Sequence, residues 1–234
     1  MIYWIAASVV WVVFRIVFRI RVVGRDKIRG LHSYVLCPNH VSAADPVFIV
    51  ISRLAESKMT VMAKEELFEI HPFISWFFRS VGVIPVHRGK GDTSAVDQCI
   101  QKVRSGGGAL IFPEGTRSLT GQPGKIKSGA FVVAAAANAS LVPCRILYAE
   151  GHPRLFRRVT VVFGDPMPCS QLGLEAEGRS AAGLRRAKAW LAGEWEKLYL
   201  ANTTPAQQEK DRQRAQQALE QAGETGKEPA HGDH

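Results

Sequence analysis

The chain has 234 residues, enough for one domain with a sizeable core plus appendages, and its hydrophobic content of 46% is ordinary for a globular protein. A formal net charge of +9 points to a polyanionic partner, either nucleic acid or an anionic membrane surface. The four cysteines (Cys37, Cys99, Cys144, Cys169) show neither metal-ligand spacing nor a CxxC pair, which speaks against a zinc or dithiol site and fits core residues in a reducing compartment.

Met1 to Phe14 is almost wholly apolar, and the pattern continues to Ile20 around Arg15 and Arg19. It lacks the basic start and small-residue cleavage site of a secretory signal, and it is shorter than the roughly 20 apolar residues that span a bilayer. Arg21, Arg25, Lys27 and Arg29 follow at once. The expectation is a membrane-anchoring helix over residues 1–20, spanning shallowly or lying in the interface. By the positive-inside rule its C-terminal end would face the cytoplasm at the inner (plasma) membrane. The alternative is a buried core helix, which would not need a basic collar.

A strand is expected near Arg21–Gly24 and a second, buried one at Tyr34–Cys37, which Pro38 and Asn39 end. The stretch from Cys37 to Asp45 then places His40 in the turn between a strand end and a helix start. Asp45-Pro46 reads as that start, with an acceptor side chain at the N-cap and a proline in the first turn. A loop can fold back over this spacing, so Asp45 can hold one imidazole nitrogen and leave the other free, the pairing of a general base. The structural alternative has Asp45 merely capping a helix.

Further strands are expected at Thr60–Ala63, Val81–Val86, Ala109–Phe112, Leu141–Leu147 and Val159–Phe163. Helices are expected near Pro46–Glu56, Asp92–Arg104, Ser128–Ala139 and Arg179–Leu200, the second ended by Gly106-Gly107-Gly108. Glu65–Ser80 is too apolar for one core-facing stripe; Pro72 splits it, and it reads either as core or as a second membrane-dipping surface. Alternating strands and helices indicate an α/β sheet covered on its faces. The organisation is an anchor over 1–20, one domain over 21–200, and a polar tail over 201–234 that is either a fraying helix or disordered.

Phe112-Pro-Glu-Gly-Thr-Arg-Ser118 repeats the design of the first turn: a buried strand ends at a proline, and polar groups crowd a tight turn at Gly115. Its backbone N–H groups, with Thr116, Arg117 and Ser118, suit an anion, and Arg117 can grip phosphate through two parallel hydrogen bonds. Glu114 needs a partner, either a basic side chain or a substrate hydroxyl; the plain reading is an ion pair with Arg117. Arg88, at the end of Gly82–Val86, is a third charged group delivered by a strand end, and Lys125 and Lys127 add charge before the next helix. In an open α/β sheet, strand C-terminal ends are where ligands bind. The chain has no P-loop, no Gly-x-Ser-x-Gly elbow and no His-Glu-x-x-His, and its basic residues are not interleaved with aromatics as a nucleic-acid platform requires.

Four blocks now occur in order: Asn39-His40-x-Ser42-x-x-Asp45, Gly82-x-Ile84-x-Val86-x-Arg88, Phe112 to Ser118, and Leu141-Val-Pro143. Together they resemble the glycerophospholipid acyltransferase family, in its 1-acyl-glycerol-3-phosphate acyltransferase branch, over about Val23 to Pro168. The resemblance implies a central mixed sheet flanked by helices. It also implies His40 as general base, Asp45 as its orienting partner, and Arg88, Glu114, Gly115, Thr116 and Arg117 as the acceptor's glycerol-phosphate site, with Lys127 assisting. The reaction implied is transfer of an acyl group from a thioester, of CoA or acyl carrier protein, to lysophosphatidic acid at an anionic membrane surface, with no cofactor, metal or nucleic acid. Another lysolipid acceptor, or a non-catalytic membrane-binding module of the same fold, are the alternatives. The chain departs from the family pattern at Pro85, His87 and Cys144-Arg145, which bears on acyl-chain and donor preference.

Overall fold

The structure, a computed structural model, describes residues 12, 14, 16–53, 59–64, 83–86, 93–174 and 180–225. Most of the expected anchor, the aromatic segment at 65–80 and the strand-end arginine Arg88 lie outside the described residues. Among the described residues no helix is long and apolar enough to cross a membrane.

The strands are β1 (Arg19–Val23), β2 (Tyr34–Pro38), β3 (Met59–Lys64), β4 (Val83–Val86), β5 (Gly108–Leu110), β6 (Ser140–Tyr148), β7 (Arg158–Phe163) and β8 (Met167–Pro168). They form one sheet in the order β1-β7-β6-β2-β5-β3-β4, with β8 also pairing β6. β2 to β6 run parallel to one another, while β7 and β1 run the opposite way, so the sheet is mixed. β2 is buried at every position, which is why its sequence is an unbroken apolar run: both faces are covered.

Two cores lie on the two faces of the sheet. On one, Val35, Cys37, Ala109 and Leu141 meet helices α2 (Thr93–Arg104), α3 (Gly129–Ala137) and α4 (Ala181–Asn202), with Trp195 of α4 fully packed. On the other, Leu36, Val142, Ile146 and Tyr148 meet Phe48, Ile49 and Ile51 of α1 (Asp45–Ser52). α2 ends as its glycine run foretells: Gly106 turns left-handed at φ +92°, and Gly107 N–H returns to the Lys102 carbonyl at 3.0 Å.

Two segments differ from expectation. Arg19, expected on the last turn of the anchor, is instead the first residue of β1, drawn into the sheet by pairing with Arg158 of β7. Just before it, Phe14 and Phe18 pack against each other at a tilt and dock edge-on against Phe48, with centroids 5.3 and 5.0 Å away. Phe48 in turn meets the Tyr148 ring at 6.0 Å. After Thr204, where sequence leaves a fraying helix or disorder open, stands a 21-residue helix, α5 (Pro205–Thr225). It is tied to the end of β6 by Gln207 and Arg214, which donate to the Ala149 carbonyl, and by the Arg214–Glu150 ion pair at 3.1 Å.

Candidate active site

β2 delivers the site. Its last residues are held by long-range bonds: the Trp195 indole donates to the Cys37 carbonyl at 2.9 Å, and the Asn39 amide brackets Ile146, accepting from its N–H at 2.7 Å and donating to its carbonyl at 3.3 Å. Asn39 thus continues the β2–β6 pairing with a side chain where the β2 ladder stops at Pro38.

His40 follows directly. Its Nδ1 lies 2.8 Å from Asp45 Oδ2, which also accepts the N–H groups of Val41 at 2.7 Å and Ser42 at 2.8 Å. Asp45 Oδ1 accepts the Tyr148 hydroxyl. Asp45 is wholly buried, yet four donors meet its carboxylate, which is what keeps such a charge tolerable in an apolar interior. It is the first residue of α1 and not the N-cap, a place held by Ala44 with no side-chain cap. The carboxylate therefore turns back onto the loop and the imidazole. A carboxylate only accepts, so Nδ1 carries the proton and Nε2 is left with a lone pair. The ring stacks on Phe112 at 4.0 Å between centroids, and its side chain is 18% exposed, enough for a substrate to reach. Burial and the neighbouring Asp45 raise the Tyr148 phenol well above its ordinary value, so it stays a donor to the carboxylate.

The second turn is locked to the first. Glu114 accepts the His40 N–H on Oε1 at 2.7 Å and the Gly124 N–H on Oε2 at 2.6 Å, while Ser118 N–H returns to the His40 carbonyl at 2.8 Å. Among the described residues the hydrogen-bond partners of Glu114 are thus backbone amides, neither Arg117 nor any other base. Burial raises its carboxyl above the ordinary value, opposed by those two bonds and by the nearby Arg145. Gly115 adopts φ +71°, and a Cβ there would sit 2.9 Å from Lys127 Nζ, so the missing side chain admits the lysine over the turn. Gly115 N–H is used by the Phe112 carbonyl at 3.0 Å. Thr116, Arg117 and Lys127 are exposed, and among the described residues no carboxylate pairs with Arg117 or Lys127.

His40, Asp45, Glu114, Gly115, Thr116, Arg117 and Lys127 are therefore brought to one edge of the sheet; Arg88 lies outside the described residues. Sequence reasoning missed Tyr148, and it left Asn39 and Phe112 as motif letters without a task. It noted Arg145 only as a departure from pattern. That residue is buried on β6, its guanidinium 5.5 Å from the Tyr199 ring centroid, with Nε and Nη1 unbonded among the described residues. Burial lowers it to about 10, against the pull of Glu114, Glu196 and Asp211. It borders a cavity of about 180 Å³ with Val41, Thr120, Tyr199 and Arg214. No cluster of histidine, cysteine or carboxylate side chains among the described residues could hold a metal ion.

The sequence profile of the acyltransferase family matches residues 19–147. The chain is 32% identical over 115 residues to a chloroplastic 1-acyl-sn-glycerol-3-phosphate acyltransferase of Arabidopsis thaliana, covering 48% of this chain and 31% of that one. It is 29% identical over 127 residues to the 1-acyl-sn-glycerol-3-phosphate acyltransferase of Borreliella burgdorferi, covering 53% and 50%. The Bacillus subtilis enzyme of the same name is 25% identical over 150 residues, covering 63% and 73%. The chain thus spans just under a third of the length of the first of these relatives and half of the second. Among solved structures, the 1-acyl-sn-glycerophosphate (LPA) acyltransferase of Thermotoga maritima shares the fold, with a TM-score of 0.60 over 79% of this chain and 73% of that one at 21% identity.

Proposed function

Because the chain belongs to the acyltransferase family, we propose that it moves a fatty acyl group from a thioester to the sn-2 hydroxyl of 1-acyl-glycerol-3-phosphate, giving phosphatidic acid. The observation that carries this reading is the His40–Asp45 pair beside a cationic turn whose arginine and lysine have no carboxylate partner among the described residues. His40 Nε2 takes the hydroxyl proton as the oxygen attacks the thioester carbonyl, and Asp45 stabilises the imidazolium that forms. The tetrahedral intermediate collapses, the C–S bond breaks, and the thiolate leaves with the proton from the imidazolium. The acceptor is itself the nucleophile, so no acyl-enzyme is needed.

Arg117, Lys127 and Arg88 take the phosphate of the acceptor, and the N–H groups of Thr116 and Arg117, beyond the Gly115 turn, assist. Glu114 holds this turn against the His40 loop, so phosphate and hydroxyl are presented at a fixed separation. Either CoA or acyl carrier protein serves as donor chemistry, both bearing phosphate that suits a basic chain. The setting is the cytoplasmic face of a membrane, where the acceptor resides.

Detergent-solubilised protein given labelled oleoyl-CoA and a panel of lysolipids, with His40→Ala beside it, tests the reading. Phosphatidic acid from the parent alone is the expected result. Transfer only to another lysolipid would keep the base and overturn the acceptor; free fatty acid alone would indicate a thioesterase. If CoA esters give nothing, acyl carrier protein esters are tried before the reaction is abandoned.

A further inference from the structure

The sheet edge that carries His40 also gathers most of the large apolar side chains that the described residues leave in water. The register fixes that edge. β6 runs parallel to β2, so its C-terminal end lies on the side of the His40 turn. β7 begins there, with Val159 opposite Tyr148, and β1 begins beside it, with Arg19 opposite Arg158. The residues entering β1 and the loop entering β7 therefore stand at the same edge, and Leu119 joins them from the turn that Ser118 bonds to His40. Ile16 is 70% exposed, Leu119 90%, and Leu155 and Phe156 64% each. Of the other large apolar residues exposed among those described, Val12 precedes β1, and Leu200 and Leu219 are on α4 and α5.

The loop before β7 is built to present its tip. Phe156 sits at φ +61°, a left-handed conformation that a bulky side chain adopts only when its surroundings impose it. Its N–H is held by the Val17 carbonyl at 2.7 Å, Arg157 N–H closes a turn onto Arg154 at 3.2 Å, and Arg19 N–H bonds the Arg157 carbonyl at 3.2 Å. The tip is thus clamped to the entry of β1, where the apolar N-terminal segment arrives. Around it Arg154, Arg157, Arg158, Arg19 and Arg21 are all exposed. Among the described residues the carboxylate that reaches this group, Glu150, is 3.9 Å from Arg157 and already paired with Arg214, so the collar keeps its positive charge.

We infer that Leu155 and Phe156 form a wedge that enters the hydrocarbon boundary of an anionic bilayer, with the surrounding arginines at the lipid phosphates. An apolar tip inside a cationic rim matches the layered chemistry of a membrane surface, where apolar burial and attraction to anionic headgroups act together. Nucleic acid would use the arginines but gain nothing from two exposed apolar tips. The inference deepens the membrane setting of the proposed function and rests on it only in taking lipid as the partner. It orients the molecule: the edge bearing His40 meets the headgroup layer.

All four native cysteines are buried, so a cysteine placed at the tip is the exposed thiol to label. Leu155→Cys and Phe156→Cys, each in the full chain and carrying an environment-sensitive fluorophore, are mixed with vesicles of phosphatidylglycerol and phosphatidylcholine. Ser105→Cys, exposed at the opposite edge just before β5, is the reference. Emission at both tip positions should shift to the blue and brighten, with no shift at 105. Unshifted emission at both tip positions, or an equal shift at 105, would overturn the wedge. The readout involves no turnover. It survives if the proposed reaction fails, and phosphatidic acid made by a protein whose tip stays in water would sink the wedge alone.

Discussion

Two turns leave the same edge of the sheet, and they are made in opposite ways. In the His40 turn the polar groups are committed: Asp45 takes four donors, Asn39 both backbone groups of Ile146, and Trp195 the Cys37 carbonyl. In the Gly115–Lys127 turn, Glu114 is committed at the root, while Arg117 and Lys127 at the tip stand exposed without carboxylate partners among the described residues. A proton-transfer group must be aimed before the substrate arrives, because misplacement is felt directly in rate. A charge-binding group must be left open, because any internal partner competes with the ligand. One turn spends its hydrogen bonds on geometry and the other withholds them.

Substitutions should separate the two. His40→Ala should lower kcat by roughly 10²–10⁴-fold with little change in KM or melting temperature, read by phosphatidic acid formation and calorimetry. Asp45→Asn should lower kcat by about 10²-fold or more and also destabilise by about 2–3 kcal/mol, since an amide sets a donor against donors where a charged acceptor stood. An Asn variant with unaltered stability would break the view that this turn is held by its carboxylate. Arg117→Ala belongs to the open turn: KM for the lysolipid should rise roughly tenfold, for loss of one charge-assisted contact, with kcat and unfolding unchanged. A fall in melting temperature there would show that the tip is structural after all. Trp195→Phe should cost about 1 kcal/mol by removing the indole's hydrogen bond to the Cys37 carbonyl, measured by urea denaturation, with a smaller effect on rate. Arg145→Met should be the mildest, within about 1 kcal/mol of the parent or more stable, because a buried guanidinium with unbonded nitrogens pays a desolvation penalty that a thioether of like length does not.

Sequence gave up the parts of this architecture that depend on neighbours in the chain. The buried run Tyr34–Cys37 of β2, the glycine stop of α2, and the His40–Asp45 spacing are all local patterns, though Pro38, expected to end the strand, is its last residue. The sheet's mixed direction and its helical flanks followed from the family resemblance, and the structure has both. What stayed hidden depends on residues far apart. Tyr148 reaches Asp45 across 103 positions and Asn39 reaches Ile146 across 107, with no periodicity to announce either. Glu114 was illegible for a different reason: its partners are amide N–H groups, which every residue but proline carries, so no side chain advertises them. α5 lacks an apolar stripe because Gln207, Asp211 and Arg214 dock it through polar bonds, and its composition therefore resembles that of an unfolded tail.

The aromatic cluster below the site sets a limit on protein engineering. A shortened protein starting at Arg19 would be a natural choice for shedding the apolar N-terminus and gaining solubility. It would also remove Phe14 and Phe18, strip two rings from Phe48, and leave Phe48 free to drift from the Tyr148 ring that stands between it and Asp45. The trimmed protein would be easier to handle and worse at its chemistry, so inactivity in such a version would report a loosened floor and not a mistaken assignment of the base.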